Sequence, residues 1–469
     1  MPETGMGSVM SDEILAEVDR GFERSVERLC DFLRIPSVGT DPAHDADTRR
    51  AASWLVEELQ GIGFECELCE TPGQPVVLGH YRAPAGNGRH LLYYGHYDVQ
   101  PADPLELWQT PPFEPTLVDG PHGRRVVARG AVDDKGQVMT WIEAFRAWMA
   151  TKGELPFDIT LFIEGEEEGA SANLEPFMRK FSERLKADVC VISDTGMPGP
   201  DNPAVTTLLR GIVYLEVTLE GPSHDLHSGM YGGAVINPLN ALSRLVADLH
   251  DGDGRVTLDG FHDGIIEPTA EQLHAWRASG FDEAEFLATA GLDRSHGEAG
   301  YSVLERIWAR PTLDVNGMWG GYTGEGSKTV IPAKATVKLS CRLVPGQDPA
   351  RVNAALRSHF ENGKPAGTRI RIADFGSGAA IRVPDDSPHV RAARRAASRI
   401  FPNEAVTIGC GGSIPVAASV KNLLGMDTLL LGFGLDDDRI HSPNEKFELV
   451  CLERGIKTHV CLIDELAKA

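Results

Sequence analysis

The feature that most constrains this chain is an alternation. Short apolar runs of strand length give way to stretches of helical period, and several of the runs end on metal-capable side chains. HLLYYGHYDV reads as a strand, VDDKGQVMTWIEAFRAWMA as a helix, DITLFIEGEEE as a strand entering an acidic turn, and ADVCVISD as a further strand. This pattern predicts an α/β unit built around a mainly parallel sheet. Such sheets bind ligands beyond the carboxyl ends of their strands. His96, Glu168 and Asp194 each fall at such an end.

Asp133 in RGAVDDKGQ and His441 in DRIHSPNEKF complete a set of two imidazoles and three carboxylates. That donor set suits a pair of divalent ions held by nitrogen and oxygen, and it points to hydrolysis by a metal-activated water. In GHYDVQP, Asp98 lies two residues after His96, on the same strand face, placed to fix the tautomer of the imidazole. Two adjacent carboxylates, Asp133 and Asp134, repel unless a cation compensates, and Asp133 between two metals supplies that reason. In GEEEG, Glu168 is a ligand candidate and Glu167 a proton carrier for the attacking water and the leaving amine. Taken singly, these motifs also describe solvated loops, an acidic helix start and an acidic turn. Their conjunction carries the reading.

A chain of 469 residues is too long for one compact core, so two domains are expected. The character changes near residue 208. LLRGIVYLEVTLEG and KTVIPAKATVKLSCRLVP read as long strands with period-two alternation, with helical segments around 237–250, 267–291 and 300–308 between them. The α/β pattern resumes with SPHVRAARRAASRIF and MDTLLLGFGL, and a final helix is predicted over 446–467. The expected division is therefore 1–207 and 381–469 for the first domain, interrupted by a strand-rich α+β domain over 208–380. At the N-terminal end, helices are predicted over 11–34 and 47–62, the second ending at Gly61 and Gly63.

Lys and Arg total 45 against 68 Asp and Glu, a net charge of −23. This balance argues against nucleic acid and anionic membranes as partners. No apolar run is long enough to span a bilayer. The first residues carry no basic stretch followed by an apolar one, and the eight scattered cysteines form no disulfide framework. A cytoplasmic protein is the expectation. Cys66 and Cys69 form a CxxC, but FECELCE alternates like a half-buried strand and has no partner CxxC.

The motif series GHYDVQP, ARGAVDDKG, EGEEEGAS, ISD, DLHSG, RLVP, GGSIP and HSPNE resembles, in order and over nearly the whole chain, the two-metal exopeptidases and deacylases. That family includes carnosinase-type dipeptidases, glutamate carboxypeptidase, acetylornithine deacetylase and succinyl-diaminopimelate desuccinylase. VQP, DLHSGMYGG, KTVIP, RLVP and GGSIPV, with the long insertion around 255–300, look most like the cytosolic dipeptidase branch. The resemblance implies that His96, Asp133 and Asp194 bind one metal, zinc or manganese with cobalt as an alternative. Asp133, Glu168 and His441 bind the other. It also implies that Glu167 is the general base and acid, that Asp98 orients His96, and that the Asp133–Asp134 peptide is cis. The interrupting domain becomes a lid and dimerisation domain. Within it, His227 resembles the oxyanion-stabilising histidine given to the partner subunit's site, and Arg342 the arginine that pairs with the substrate carboxylate. Thr329, Ser413 and Asn316 resemble further substrate contacts.

The implied activity is hydrolysis of dipeptides or short peptides with a free C-terminal carboxylate by a homodimer. The alternative is an N-acyl- or N-carbamoyl-amino-acid amidohydrolase using the same metals. A non-catalytic binding protein would lack a ligand or Glu167, and none is missing. The chain departs from the pattern near the expected substrate pocket. Ile408-Gly409-Cys410 stand where relatives often carry Arg-Glu, and GSGAAIRV lacks the histidine or Lys-Pro pattern of relatives. His224 lies outside the motif and reads as structural or solvent-facing.

Overall fold

The predicted alternation builds a nine-stranded sheet. Its strands run, across the sheet, Glu65–Cys69, Val76–Tyr81, Asp158–Glu164, His90–His96, Val189–Ile192, Asp427–Leu430, Ala204–Leu209 and Ile381–Arg382, with Val406–Cys410 also paired to Ala204–Leu209. The computed structural model describes residues 7–85, 87–169, 171–412 and 414–468, so Ser413 lies outside the described residues. The four central strands, Asp158–Glu164, His90–His96, Val189–Ile192 and Asp427–Leu430, are mutually parallel.

Alternating side chains fill two cores, as a sheet covered on both faces requires. Leu91 and Tyr93 enter one core with helices Gly7–Leu33, Lys135–Lys152, Pro388–Ile400 and Leu449–Lys468. Leu92 and Tyr94 enter the other with helices Leu174–Lys180 and Pro415–Ser419. With both faces buried, the carboxyl rim of the parallel strands is where polar groups emerge.

Residues 211–378 contain a separate four-stranded antiparallel sheet, ordered Thr312–Gly320, Lys334–Leu343, Gly211–Glu220 and Arg369–Gly378. Its own core includes residues of helices Pro238–Ala247 and Pro349–Gly363. Two long strands expected from the sequence are each broken. LLRGIVYLEVTLEG splits at Arg210, which passes the chain from the large sheet to the smaller one. Gly211 lies so close to Gly378 that an added Cβ would stand 2.4 Å from its carbonyl oxygen. KTVIPAKATVKLSCRLVP splits at Pro332, whose missing N–H cannot continue the ladder. Period-two alternation continues through both breaks, so it could not reveal them.

Part of the 208–380 segment does not join this smaller core. Trp276, Leu304 and Trp308 belong to the first core of the large sheet, with the Trp276 and Trp308 rings edge to face at 5.3 Å. Helices Ala270–Arg277 and Val303–Trp308 lie against strand Val406–Cys410. The helix expected over 267–291 is two helices, Ala270–Arg277 and Glu283–Thr289, separated by Gly280 at φ +84. The predicted C-terminal helix begins at Leu449, because Lys446–Glu448 pairs as a strand with Gly123–Val127.

Cys66 and Cys69 lie on the edge strand Glu65–Cys69, and both are free. Burial raises their pKa values to about 12 and about 11, so neither is a reactive thiolate. Among the described residues, no helix is long and apolar enough to cross a membrane.

Candidate metal centre

His96 closes its strand fully buried, because Gly95 precedes it where a Cβ would meet Val138 at 2.8 Å. Its ring faces carboxylates on both sides. Nδ1 lies 3.1 Å from the Asp98 backbone oxygen and 3.3 Å from Asp98 Oδ1, and Nε2 lies 3.2 Å from Asp133 Oδ1 and 4.0 Å from Asp194 Oδ2. Asp98 is buried and does a second task. Its two oxygens accept the backbone N–H groups of Glu167 and Glu168, at 3.2 and 3.0 Å. One side chain thereby ties the histidine motif to the acidic turn.

Asp133 stands between the two imidazoles, with Oδ2 2.9 Å from His441 Nε2. The Asp133–Asp134 peptide is cis. Glu168 Oε2 lies 3.3 Å from the same His441 nitrogen and accepts a 2.8 Å hydrogen bond from Gln100. His441 itself is half-exposed and sits at φ 62, in a loop where Arg439 and Asn444 also have positive φ.

The side chain that joins these two loops was not among the residues singled out from the sequence. Glu445, fully buried, accepts the Arg129 guanidinium at 2.7 Å and the backbone N–H groups of Gly130, Val132 and Asp133 at 2.9, 3.0 and 3.2 Å. It connects the segment that carries His441 to the turn that presents Asp133. Its signal was its place in HSPNE, four residues after the histidine.

The potential grouping is sharp. His96, Asp133 and Asp194 offer ligand atoms within 4.8 Å of one another, as do Asp133, Glu168 and His441, so the two triads share Asp133. His96 Nε2 and Glu168 Oε1 are buried and make no hydrogen bond among the described residues, and buried polar atoms without a partner are rare. The charges are mutually frustrated. Burial raises the Asp194 pKa to about 7, aided by Asp133, and raises that of Glu167 to about 8, aided by Asp194 and Glu168 against the opposing pull of His96. Asp133 is also buried, but the adjacent imidazoles of His441 and His96 hold it well below the usual carboxylate range. Hydrogen bonds to Asp133 and Glu168 push His441 up to about 10. Crowded carboxylates and unpartnered donor atoms are what a pair of divalent cations would relieve. The residues therefore fit such a pair.

The remaining expected residues lie elsewhere. His227 is exposed at the end of the short strand Leu226–His227. Its Nδ1 accepts the Gly229 N–H at 3.0 Å, and its Nε2 is 3.5 Å from Thr329 Oγ1. Asn316 is exposed at a β-bulge between Val315 and Gly317, a device that re-aims a side chain. Among the described residues, no hydrogen bond or ion pair joins His227, Thr329 or Asn316 to the two triads. Arg342 is half-buried on Lys334–Leu343, close enough to Arg210 that burial, aided by the Arg342 guanidinium, lowers the Arg210 pKa to about 10. Arg210 donates to the Gly411 carbonyl at 2.9 Å. Standing inside an apparent strand, it carries no signal of its own in the sequence.

The profile of peptidase family M20/M25/M40 matches residues 92–465. The chain belongs to this family. It is 32% identical to the Cys-Gly metallodipeptidase of Schizosaccharomyces pombe over 97% of this chain and 98% of that protein. It is 31% identical to the human Beta-Ala-His dipeptidase over 97% of this chain and 93% of that protein. Among solved structures, human carnosine dipeptidase 1 superposes with a TM-score of 0.84 at 28% identity, covering 98% of this chain and 99% of that one.

Proposed function

We propose that this chain is a two-metal dipeptidase that hydrolyses dipeptides or short peptides bearing a free C-terminal carboxylate. The observation that carries the reading is the pair of triads sharing Asp133, in a chain whose family and full-length relatives are metallopeptidases. His96, Asp133 and Asp194 hold one divalent ion, and Asp133, Glu168 and His441 the other. Zinc or manganese suits this set of nitrogen and oxygen donors, and cobalt is an alternative. Two such ions supply a water that ionises near neutral pH and positive charge for the developing oxyanion.

The protein's own groups do the rest. Glu167 takes the proton of the attacking water on its carboxylate and gives it to the leaving amine. Asp98 holds His96 through Nδ1 and sets the Glu167–Glu168 turn through its two backbone contacts. Arg342 pairs with the substrate carboxylate, with Thr329, Ser413 and Asn316 as further contacts. The part of residues 208–380 built on the smaller sheet acts as lid and dimerisation domain, and the chain works as a homodimer in which His227 serves the partner's site. The exposure of His227 and its separation from the triads support that assignment. Eight free cysteines support a reducing, cytoplasmic setting.

The test is hydrolysis of a dipeptide panel by metal-stripped protein, with zinc, manganese or cobalt added back and N-acetyl and N-carbamoyl amino acids alongside. Metal-dependent cleavage of free dipeptides is expected. Cleavage of the N-blocked compounds alone would move the activity to amidohydrolysis.

A further inference from the structure

Beside the metal centre lies a cavity of about 180 Å3 that the proposed mechanism does not use. Most of its lining is apolar or aromatic, Phe281, Phe286, Leu304, Ile307, Trp308 and Ile408 included, with Thr206 and Ser279 as polar members. Gly196, Met197 and Pro198, from the loop after Asp194, and Cys410 and Gly411 also line it. Asp436 is the one carboxylate among its described lining residues.

Two observations connect this cavity to substrate. Cys410, on its wall, lies within electrostatic reach of Asp194 and of both Arg210 and Arg342. Gly411, also on its wall, accepts the Arg210 hydrogen bond. The cavity thus shares a wall with the guanidinium pair and begins where a metal-ligand strand ends. The segment 279–308 supplies its aromatic side, and its packing on the large sheet, through Trp308 at Gly409, holds that side in place.

We propose that this cavity is the specificity pocket for the side chain of the substrate's carboxylate-bearing residue, and that it selects apolar side chains over small and acidic ones. The proposal rests on the dipeptidase reading. A carboxylate held at Arg342 would direct the side chain on the same residue toward the wall that Cys410 and Gly411 line. The apolar lining rewards Leu and Phe, and Asp436 repels an acidic side chain.

The experiment measures kcat/KM for Gly-Gly, Gly-Leu, Gly-Phe and Gly-Glu, with Leu-Gly and Phe-Gly as the reversed pair and N-acetyl-Gly, N-acetyl-Leu and N-acetyl-Phe in parallel. Gly-Leu and Gly-Phe are expected to exceed Gly-Gly by about tenfold or more, and Gly-Glu to be poorest. Ile307→Trp, which fills the cavity, should cut Gly-Leu and Gly-Phe by about tenfold while sparing Gly-Gly. Phe281→Ala, which widens it, should shift the preference toward Gly-Phe. Both positions are partly buried, and two opposite changes separate a pocket effect from damage to the fold. A flat profile, a preference that follows only the N-terminal residue, or variants that scale every substrate equally would overturn the pocket. If only the N-acetyl series is cleaved, the dipeptidase reading fails, and the same Gly, Leu and Phe comparison still decides the pocket. Cleavage of neither series overturns both.

Discussion

The two halves of the proposed active site are held in opposite ways. The triads around Asp133 are cross-braced: Asp98 ties His96 to the Glu167–Glu168 turn, and Glu445 ties the His441 segment to the Asp133 turn. Three of the side chains assigned to substrate, His227, Thr329 and Asn316, are exposed, and no hydrogen bond or ion pair among the described residues ties them to the triads. The contrast separates chemistry from recognition. The groups proposed to meet a metal are preorganised by buried hydrogen bonds, whereas the proposed role of the exposed ones needs another copy or closure to complete it.

The most severe way to probe the braced half is Glu167→Gln, which keeps the shape and removes the base. Turnover should fall by roughly 10²–10⁴-fold with metal content by elemental analysis unchanged. Near-normal turnover would refute the base assignment. On the exposed half, His227→Ala should cost roughly 10²–10³-fold. Mixing that variant with Glu167→Gln should restore activity through hybrid dimers, and its absence despite demonstrated subunit exchange would remove the role in trans.

Glu445→Ala attacks the brace itself. Metal affinity by calorimetry should weaken by about 10–100-fold, and the unpaired Arg129 should lower the melting temperature. Glu445→Gln, which keeps an acceptor, should recover part of both. Unchanged affinity in the alanine variant would show that the ligand loops stand without Glu445, and the comparison would fail. Arg342→Ala should damage free dipeptides more than their C-terminal amides, whereas equal losses would argue against carboxylate pairing.

The smallest effect lies beneath the centre. His459 is fully buried, stacked on Trp141 at 4.0 Å with its Nδ1 3.1 Å from Thr140 Oγ1, and burial holds its pKa well below the usual 6.5. The unfolded chain then binds a proton below pH 6.5 that the folded chain does not. Its neutral burial costs nothing at higher pH, and stability is lost as pH falls below that value. The melting temperature should drop between pH 7 and pH 5, and His459→Gln should flatten that slope. An unchanged slope would show that other groups set it.

Much of this was legible in the chain. The parallel strands, the flanking helices and the placement of His96, Glu168 and Asp194 follow from apolar runs that end in polar residues, because a strand buried on both faces has only its end in which to expose a charge, whereas Asp133 and His441 stand on loops and were legible only through their motifs. What the pattern could not show was where a strand changes sheet. Arg210 sits inside unbroken alternation, and its separation of two sheets depends on Gly211 approaching Gly378. Nor could it place Trp276 and Trp308 on the large sheet, since an amphipathic helix reveals that it packs but not on what.

The sequence by itself determined the fold class and the family and proposed the ligand set, since these rest on local periodicity and on motifs a few residues long. Only the tertiary structure decided that Glu445 joins two loops more than 300 residues apart in the chain, that Arg210 stands beside Arg342, and that an apolar cavity borders the guanidiniums. Each of these is a contact between distant segments, selected by the packing of whole elements, and no local pattern of side chains encodes it.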